Sequence, residues 1–222
     1  MSPGAASPPE LPATLPIFPL DGVLLLPHGH LPLHIFEPRY RAMIEAALGE
    51  RRLIGMIQPR RDYPHPIPDD ARIFDVGCAG RIVSFAETDD GRFLVTLRGV
   101  CRFRVDEELP LEANGFRRVR PDFVPYLGDF DADDEATVER GRLLEAARHY
   151  LQVKNISCDW QAVEAASLPA LITSLAMICP FEPGEKQALL ECSSLGERGQ
   201  LLVSLLDMAV LEADAPAAGT RH

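Results

Sequence analysis

The feature that most constrains this chain is a single change of pattern near residues 126–132, at YLGDFDA. Before it, short apolar runs are broken by prolines and glycines, as strands are. After it, apolar residues recur at helical spacing. Strands first and helices second predict an α+β fold with the two kinds of structure segregated along the chain.

In the first half, LPIFPL (15–20) and LPLHIF (31–36) are apolar runs bounded by prolines and read as strands. RYRAMIEAAL (39–48) reads as a helix with Tyr40, Met43, Ile44 and Ala47 on one face, and Gly49 suits its C-cap. RLIGMIQ (52–58) is a strand, and PRRDYPHPIPDD (59–70) is a long loop. From 72 to 105 a series of strands carries Gly77, Gly80 and Gly99, which suggest bulges or bends. TDDGR (88–92) puts Asp-Gly between alternating runs, the signal of a tight hairpin. FRRVRPDFVPY (116–126) closes this half, and short strands with glycine bends predict a small, coiled barrel.

The second half reads as helices throughout. Residues 131–154 place acids in a first turn and Arg148, His149 and Lys154 near the end, as the helix dipole prefers. Residues 159–167 form a short helix. LPALITSLAMI (168–178) is apolar almost all round and is expected at the centre of a bundle. Pro183 opens the helix at 183–192. Ser194 and Glu197 form a capping box before a stripe of Leu201, Leu202, Leu205, Met208, Ala209 and Leu211.

The expected organisation is a flexible tail (1–14), a β subdomain (15–126), a helical subdomain (127–213) and a second tail (214–222). No apolar run reaches the roughly 18 residues of a membrane span, and the N-terminus lacks the basic and apolar regions of a secretory signal. A cytoplasmic location with no membrane partner is expected. The net charge of −11 is uneven: residues 1–125 carry 17 acids against 15 arginines, and residues 126–222 carry 16 acids against 7 bases. That balance argues against a nucleic-acid partner, which leaves a basic footprint. The cysteines are odd in number and widely spaced, with no CxxC, so neither a disulfide framework nor a zinc ribbon is expected.

The search for catalytic motifs is negative. The chain has only two lysines, Lys154 and Lys186, and neither sits in the Gly-Lys-Ser/Thr of a P-loop. Lys186 follows Glu185 in a polar context, which reads as a helix-surface lysine in an ion pair rather than a catalytic base. GxGxxG and GxSxG are absent. PHGHLPLHIFEPRY (27–40) holds His28, His30 and His34 at one parity, so an extended segment puts them on one face. Prolines interrupt it and no HExxH occurs. It reads as a strand with a polar outer face and Leu31, Leu33 and Ile35 inward, and no metal or cofactor is expected.

LPIFPLDGVLLLPHGHLPLHIFEPRYRAMI (15–44) resembles the start of the amino-terminal, substrate-binding domain of the ATP-dependent protease Lon. The resemblance rests on Phe18, Pro19 and Leu20, then Pro27, Pro32 and Leu33, then Phe36, Glu37, Arg39 and Tyr40. Two later blocks fit: the glycine-marked strands at 76–105, and PFEPGEKQALLECSSLGERGQLL, with Lys186, Gln187, Glu191 and Arg198. The resemblance runs from about 15 to 213. The ATPase module and serine–lysine protease domain of the full protease are missing from this sequence, which looks like a stand-alone substrate-binding domain.

The resemblance implies a PUA-like coiled β-barrel followed by a C-terminal α-helical bundle. It implies a non-enzymatic module that binds peptide or partly unfolded protein segments. Candidate contacts are Phe36, Tyr40, Met43 and Tyr63, while Phe18, Pro19, Leu20, Glu37, Arg39, Lys186, Gln187, Glu191 and Arg198 are expected to be structural. Glu37 and Arg39 are expected to pair or to cap the helix starting near Pro38. An adaptor docking on a partner such as a full protease is an alternative, as, with less support, is an RNA-binding PUA-like module; oligomeric state is not legible.

Overall fold

A computed structural model describes residues 11–131 and 138–214. Contacts divide the chain into a strand-rich unit, residues 1–132, and a helical unit, residues 133–222. Apart from Asp214, which ends the last helix, the tail expected at 214–222 lies outside the described residues, as does most of that at 1–14.

The described residues of the first unit hold six strands: β1 (Leu15–Pro19), β2 (His30–Ile35), β3 (Leu53–Ile57), β4 (Val76–Glu87), β5 (Phe93–Glu108) and β6 (Arg117–Asp122). They form one sheet in the order β2-β5-β4-β3-β1-β6, with a further pairing of β5 to β6. Among the described residues only the β1–β3 pair is parallel. The extra pairing makes a circuit of β5, β4, β3, β1 and β6. Strand β2 hangs outside that circuit, antiparallel to the first part of β5. The 16-residue β5 serves both, pairing β2 through Phe93–Arg98 and β6 through Arg104–Glu108.

Phe103 sits at the centre of the core, fully buried, with Leu15, Ile17, Val119 and Phe123 around it. Burying such a ring contributes about 1.5–3 kcal/mol. Gly55 and Gly77 make room for it: a Cβ at Gly77 would lie 2.7 Å from the Phe103 ring, and one at Gly55 2.8 Å. Gly77 therefore serves a close approach rather than a bulge. Gly80 and Gly99 do mark one, since Ala79 faces Cys101 while Gly80 faces Gly99, leaving Val100 as the extra residue. The hairpin at 88–92 forms as expected, with Gly91 at φ 75° and the Thr88 N–H donating to the Arg92 carbonyl at 2.9 Å.

Helix α1 (Pro38–Gly49) buries Tyr40, Met43, Ile44 and Ala47, the face that periodicity predicts. Gly49 is its last residue rather than its cap; the left-handed residue is Arg52, whose N–H closes on the Ala47 carbonyl at 2.8 Å. After β6 the chain makes a short 3-10 segment at Val124–Phe130. There Asp129 turns inward to Arg102. The carboxylate accepts from the Arg102 backbone N–H at 2.8 Å and from its guanidinium at 2.7 Å, and both side chains are 7% exposed.

The helical unit holds α2 (Arg140–Val153), α3 (Trp160–Ala165), α4 (Leu168–Ile178), α5 (Pro183–Glu191) and α6 (Leu195–Asp214). Two expectations change here. Helix α2 starts at Arg140, not in the acidic run, part of which (132–137) lies outside the described residues. The centre of the bundle is α6, which packs on α2, α4 and α5. Helix α4 buries one face only, through Leu171, Ile172, Leu175 and Ala176, and leaves Ile178 exposed. The buried stripe of α6 runs through Leu195, Leu202, Leu205 and Leu206, while Met208 and Leu211 face out. Its capping box forms in modified shape: Ser194 Oγ accepts from the Glu197 N–H at 3.1 Å, and the Glu197 carboxylate accepts from the Ser193 N–H at 2.6 Å.

Among the described residues no helix is long and apolar enough to cross a membrane. The cysteines are unpaired in disulfides, and all but Cys158 are buried. Burial pushes the Cys101 and Cys179 thiols up to about 12, away from the thiolate a nucleophile needs.

Candidate functional site: an apolar cleft beside strand β2

Strand β1 ends in Phe18 and Pro19, with Leu20 next, and β2 runs past without pairing to it. The gap between them opens a cleft of about 220 Å³. Its walls are Phe18–Leu20 on one side and Pro32–Phe36 on the other; Tyr40 and Glu37 come from the start of α1, and His65 and Ile67 from the proline-rich loop. The lining is mainly apolar, with a few polar groups at the edge, the usual make-up of a ligand pocket.

The local sequence explains why the cleft exists. Alternation in LPLHIF turns Leu33 and Ile35 inward and leaves His34 outside. Glu37 keeps an extended backbone, φ −67° and ψ 132°, and Pro38 follows at the first helical position, so the chain turns sharply from strand to helix. Phe36 falls on that corner with no strand partner and is 62% exposed, far above the usual value for a large apolar side chain in this protein. His34 meets its ring edge-on at 6.3 Å between centroids.

The floor is fixed by charge. Arg39 donates to the Glu37 carboxylate at 3.0 Å, to Asp69 at 2.6 Å and to the Ile67 carbonyl at 2.8 Å, tying α1 to the loop. Its guanidinium also lies 4.6 Å above the centre of the Tyr40 ring. Phe18 packs against Tyr40 with centroids 4.2 Å apart. Burial pushes the Tyr40 hydroxyl up to about 12; the Arg39 charge opposes that rise and the Glu37 charge adds to it. Burial pulls Arg39 down, but Tyr40, Glu37 and Asp69 together outweigh it and raise its pKa. Both groups keep their ordinary charge state near neutrality.

The structure separates the sequence candidates. Phe36 and Tyr40 line the cleft, and Phe18, Pro19, Leu20 and Glu37 join them. Met43 is fully buried in the core beneath α1. Tyr63 is half-buried on the loop, where its hydroxyl accepts from the Arg72 N–H at 2.9 Å, and it is not part of the cleft lining. Glu37 and Arg39 pair, and the Glu37 side chain does not cap the helix. The proline-rich loop that carries the candidate Tyr63 contributes His65 and Ile67 instead, two residues that no periodicity singles out.

The remaining motif residues lie in the helical unit. Lys186, Gln187 and Arg198 are all buried, which corrects the reading of Lys186 as a surface lysine. Glu185, its expected ion partner, accepts instead from the Glu182 N–H at 2.8 Å. Gln187 donates to Glu191 at 2.7 Å, and Arg198 donates to the Leu189 carbonyl at 2.9 Å, joining α5 to α6. His30 and His34 share the exposed face of β2, and His28 does not join them. His28 precedes β2 in a left-handed turn (φ 66°), its ring 3.2 Å from the Asp129 carbonyl. Among the described residues no group of three His, Cys, Asp or Glu side chains is placed to hold a metal ion.

Comparison with known proteins gives a consistent picture. The family model of the ATP-dependent protease La (LON) substrate-binding domain matches residues 14–208. Lon protease 2 of Sorangium cellulosum (strain So ce56) is 29% identical over 213 residues, covering 92% of this chain and 26% of the relative. Lon protease of Dictyoglomus thermophilum is 32% identical, covering 91% and 26%. The chain thus spans about a quarter of the length of the curated relatives it matches. Among solved structures, a Lon N-terminal domain protein from Xanthomonas campestris aligns with TM-score 0.57 and 21% identity, over 86% of this chain and 97% of that one. The N-terminal domain of Mycobacterium avium complex Lon protease aligns with TM-score 0.56 and 17% identity, over 87% and 98%.

Proposed function

The chain belongs to the Lon substrate-binding domain family, and from that premise we propose that it is a non-enzymatic module that binds extended peptide or partly unfolded protein segments in the cleft between β1 and β2. The observation that carries this reading is the cleft itself: an apolar groove with Phe36 62% exposed at its mouth. A lone exposed apolar residue means little, but one that continues into a groove offers a clear gain from covering it. Unfolded segments expose the side chains that folded proteins hide, so such a groove separates the two classes by chemistry alone.

The sheet circuit is read as a PUA-like coiled barrel, and the module as cytoplasmic. Binding rather than catalysis is supported by the lack of phosphate-binding and nucleophile motifs in these 222 residues and by thiols that burial keeps protonated. Peptidase and ATPase assays on the purified chain are expected to stay blank, and turnover that survives rigorous purification contradicts the reading.

The direct test compares binding of a reduced, carboxymethylated protein with that of its folded parent. Preference for the unfolded form, lost on Phe36→Ser, supports the proposal; equal binding of both forms, or none, sinks it.

A further inference from the structure

We infer that the outer edge of β2 takes up the backbone of a bound segment as an added strand, with alternate side chains of that segment entering the cleft. This rests on the reading above and specifies how the segment is held. The register of β2 on β5 carries the argument. Residues facing each other in an antiparallel pair alternate between bonding each other and pointing away. Gly99 donates to the Gly29 carbonyl at 2.8 Å, which marks Gly29 as a bonding position. Leu31, Leu33 and Ile35 are in step with it, facing Leu97, Val95 and Phe93. His30, Pro32 and His34 therefore turn their backbone groups away from β5.

Three observations agree. Pro32 lacks an N–H and sits at an outward position, where a proline costs the ladder nothing. Strand β2 ends the strand order, so among the described residues no second strand meets its outer edge. The cleft is lined by Pro32–Phe36 on one side, so the open edge and the apolar groove are the same place. An edge of six residues spans roughly 20 Å and accepts a segment of about that length. Pro32 removes one donor from the middle of that edge, which weakens the added ladder and guards β2 against pairing with its own kind.

The added strand has a checkable periodicity. Segment residues opposite Leu33 and Ile35 point into the cleft, and residues opposite Pro32 and His34 point to solvent. In an antiparallel addition the second set makes the backbone bonds, and in a parallel addition the first set does. Either way every second N–H of the segment is used.

The experiment is an N-methyl scan. The probe is a fluorescein-labelled nonapeptide with one phenylalanine in a serine, threonine and glycine background, titrated with the whole chain by fluorescence anisotropy. N-methylation is expected to weaken binding roughly 5-fold at every second position and to leave the positions between within about 2-fold, since a single net hydrogen bond is at stake. Pro32→Ala, which restores an outward donor at an exposed site, is expected to tighten binding by roughly 3-fold. A flat N-methyl scan with the peptide still bound overturns strand addition while leaving the cleft reading intact, and an unchanged or weaker Pro32→Ala likewise counts against it. No binding of any peptide overturns both.

Discussion

The two seams of the strand-rich unit are built in opposite ways. One is where β5 bends past Gly99 toward β6, and there everything is closed. Arg102 and Asp129 are 7% exposed and bonded to each other through side chain and backbone. Gly99 passes so near the Leu26 carbonyl that a Cβ would lie 1.9 Å from it. The other seam lies between β1 and β2. Its charges are looser, with Arg39 17% and Asp69 53% exposed, and its packing leaves a cleft of about 220 Å³. The contrast teaches which charges hold this fold and which surface is spare. A buried pair is costly to break because each half strands the other, whereas a half-exposed pair can be replaced by water.

The largest effect is expected at the closed seam from Gly99→Ala. The added methyl meets a backbone oxygen, so the strand itself must move, and the loss should exceed about 4 kcal/mol or abolish folding. Urea denaturation measures it; a loss below about 1 kcal/mol would mean that β5 and the Leu26 segment before β2 are not so close. Asp129→Ala removes the carboxylate to which the buried Arg102 donates and should cost about 3–5 kcal/mol by the same assay.

Alkali probes both seams. Burial raises Cys101 at the closed seam and Tyr40 at the open one, each to about 12. A raised pKa means the folded state holds its proton longer than the unfolded chain. The stability these groups contribute is therefore intact below their ordinary values, near 9 and 10, and is lost as pH rises to about 12. Stability measured against pH should fall across that window, and Tyr40→Phe should flatten its upper part. An unaltered slope in that variant would show that Tyr40 is not desolvated.

At the open seam the numbers shrink. Asp69→Ala removes one of the three hydrogen-bond partners of Arg39, at a half-exposed carboxylate, and should cost no more than about 1 kcal/mol. Phe36→Ser should change stability by less than about 0.5 kcal/mol, because the ring is already in water. Its effect belongs in binding, where a loss of roughly 10-fold is expected for an anchor residue. A large stability loss with unchanged binding would reverse the roles assigned to the seams.

How much of this was legible beforehand follows from range. The division into strands and helices, the turn at TDDGR and the buried face of α1 depend on neighbours a few residues apart, and local periodicity reports them. The role of Gly77 was not legible, because what excludes a side chain there is the Met56 carbonyl together with the Phe103 ring, both far along the chain. The cleft was half legible. Phe36 and Tyr40 could be named from the motif block, but Phe18 and Ile67 join them only once the circuit closes. Met43 looked like a surface candidate because it shares a helix with Tyr40, yet it points deeper into the core. Lys186 was misread because a charged residue beside a glutamate suggests a surface pair, while that glutamate is spent on capping its own helix. In α4, composition was misleading: an apolar helix need not be central when its neighbour α6 is longer and offers more partners.

The central claim is that the spare surface beside β2 is where a segment binds. Titrating the phenylalanine nonapeptide into the isotopically labelled chain and following backbone amide shifts tests it directly. The account predicts dose-dependent shifts at Leu20, His34, Phe36 and Tyr40, with the amides of α5 and α6 unmoved. Shifts confined to the helical unit, with β2 silent, would contradict it.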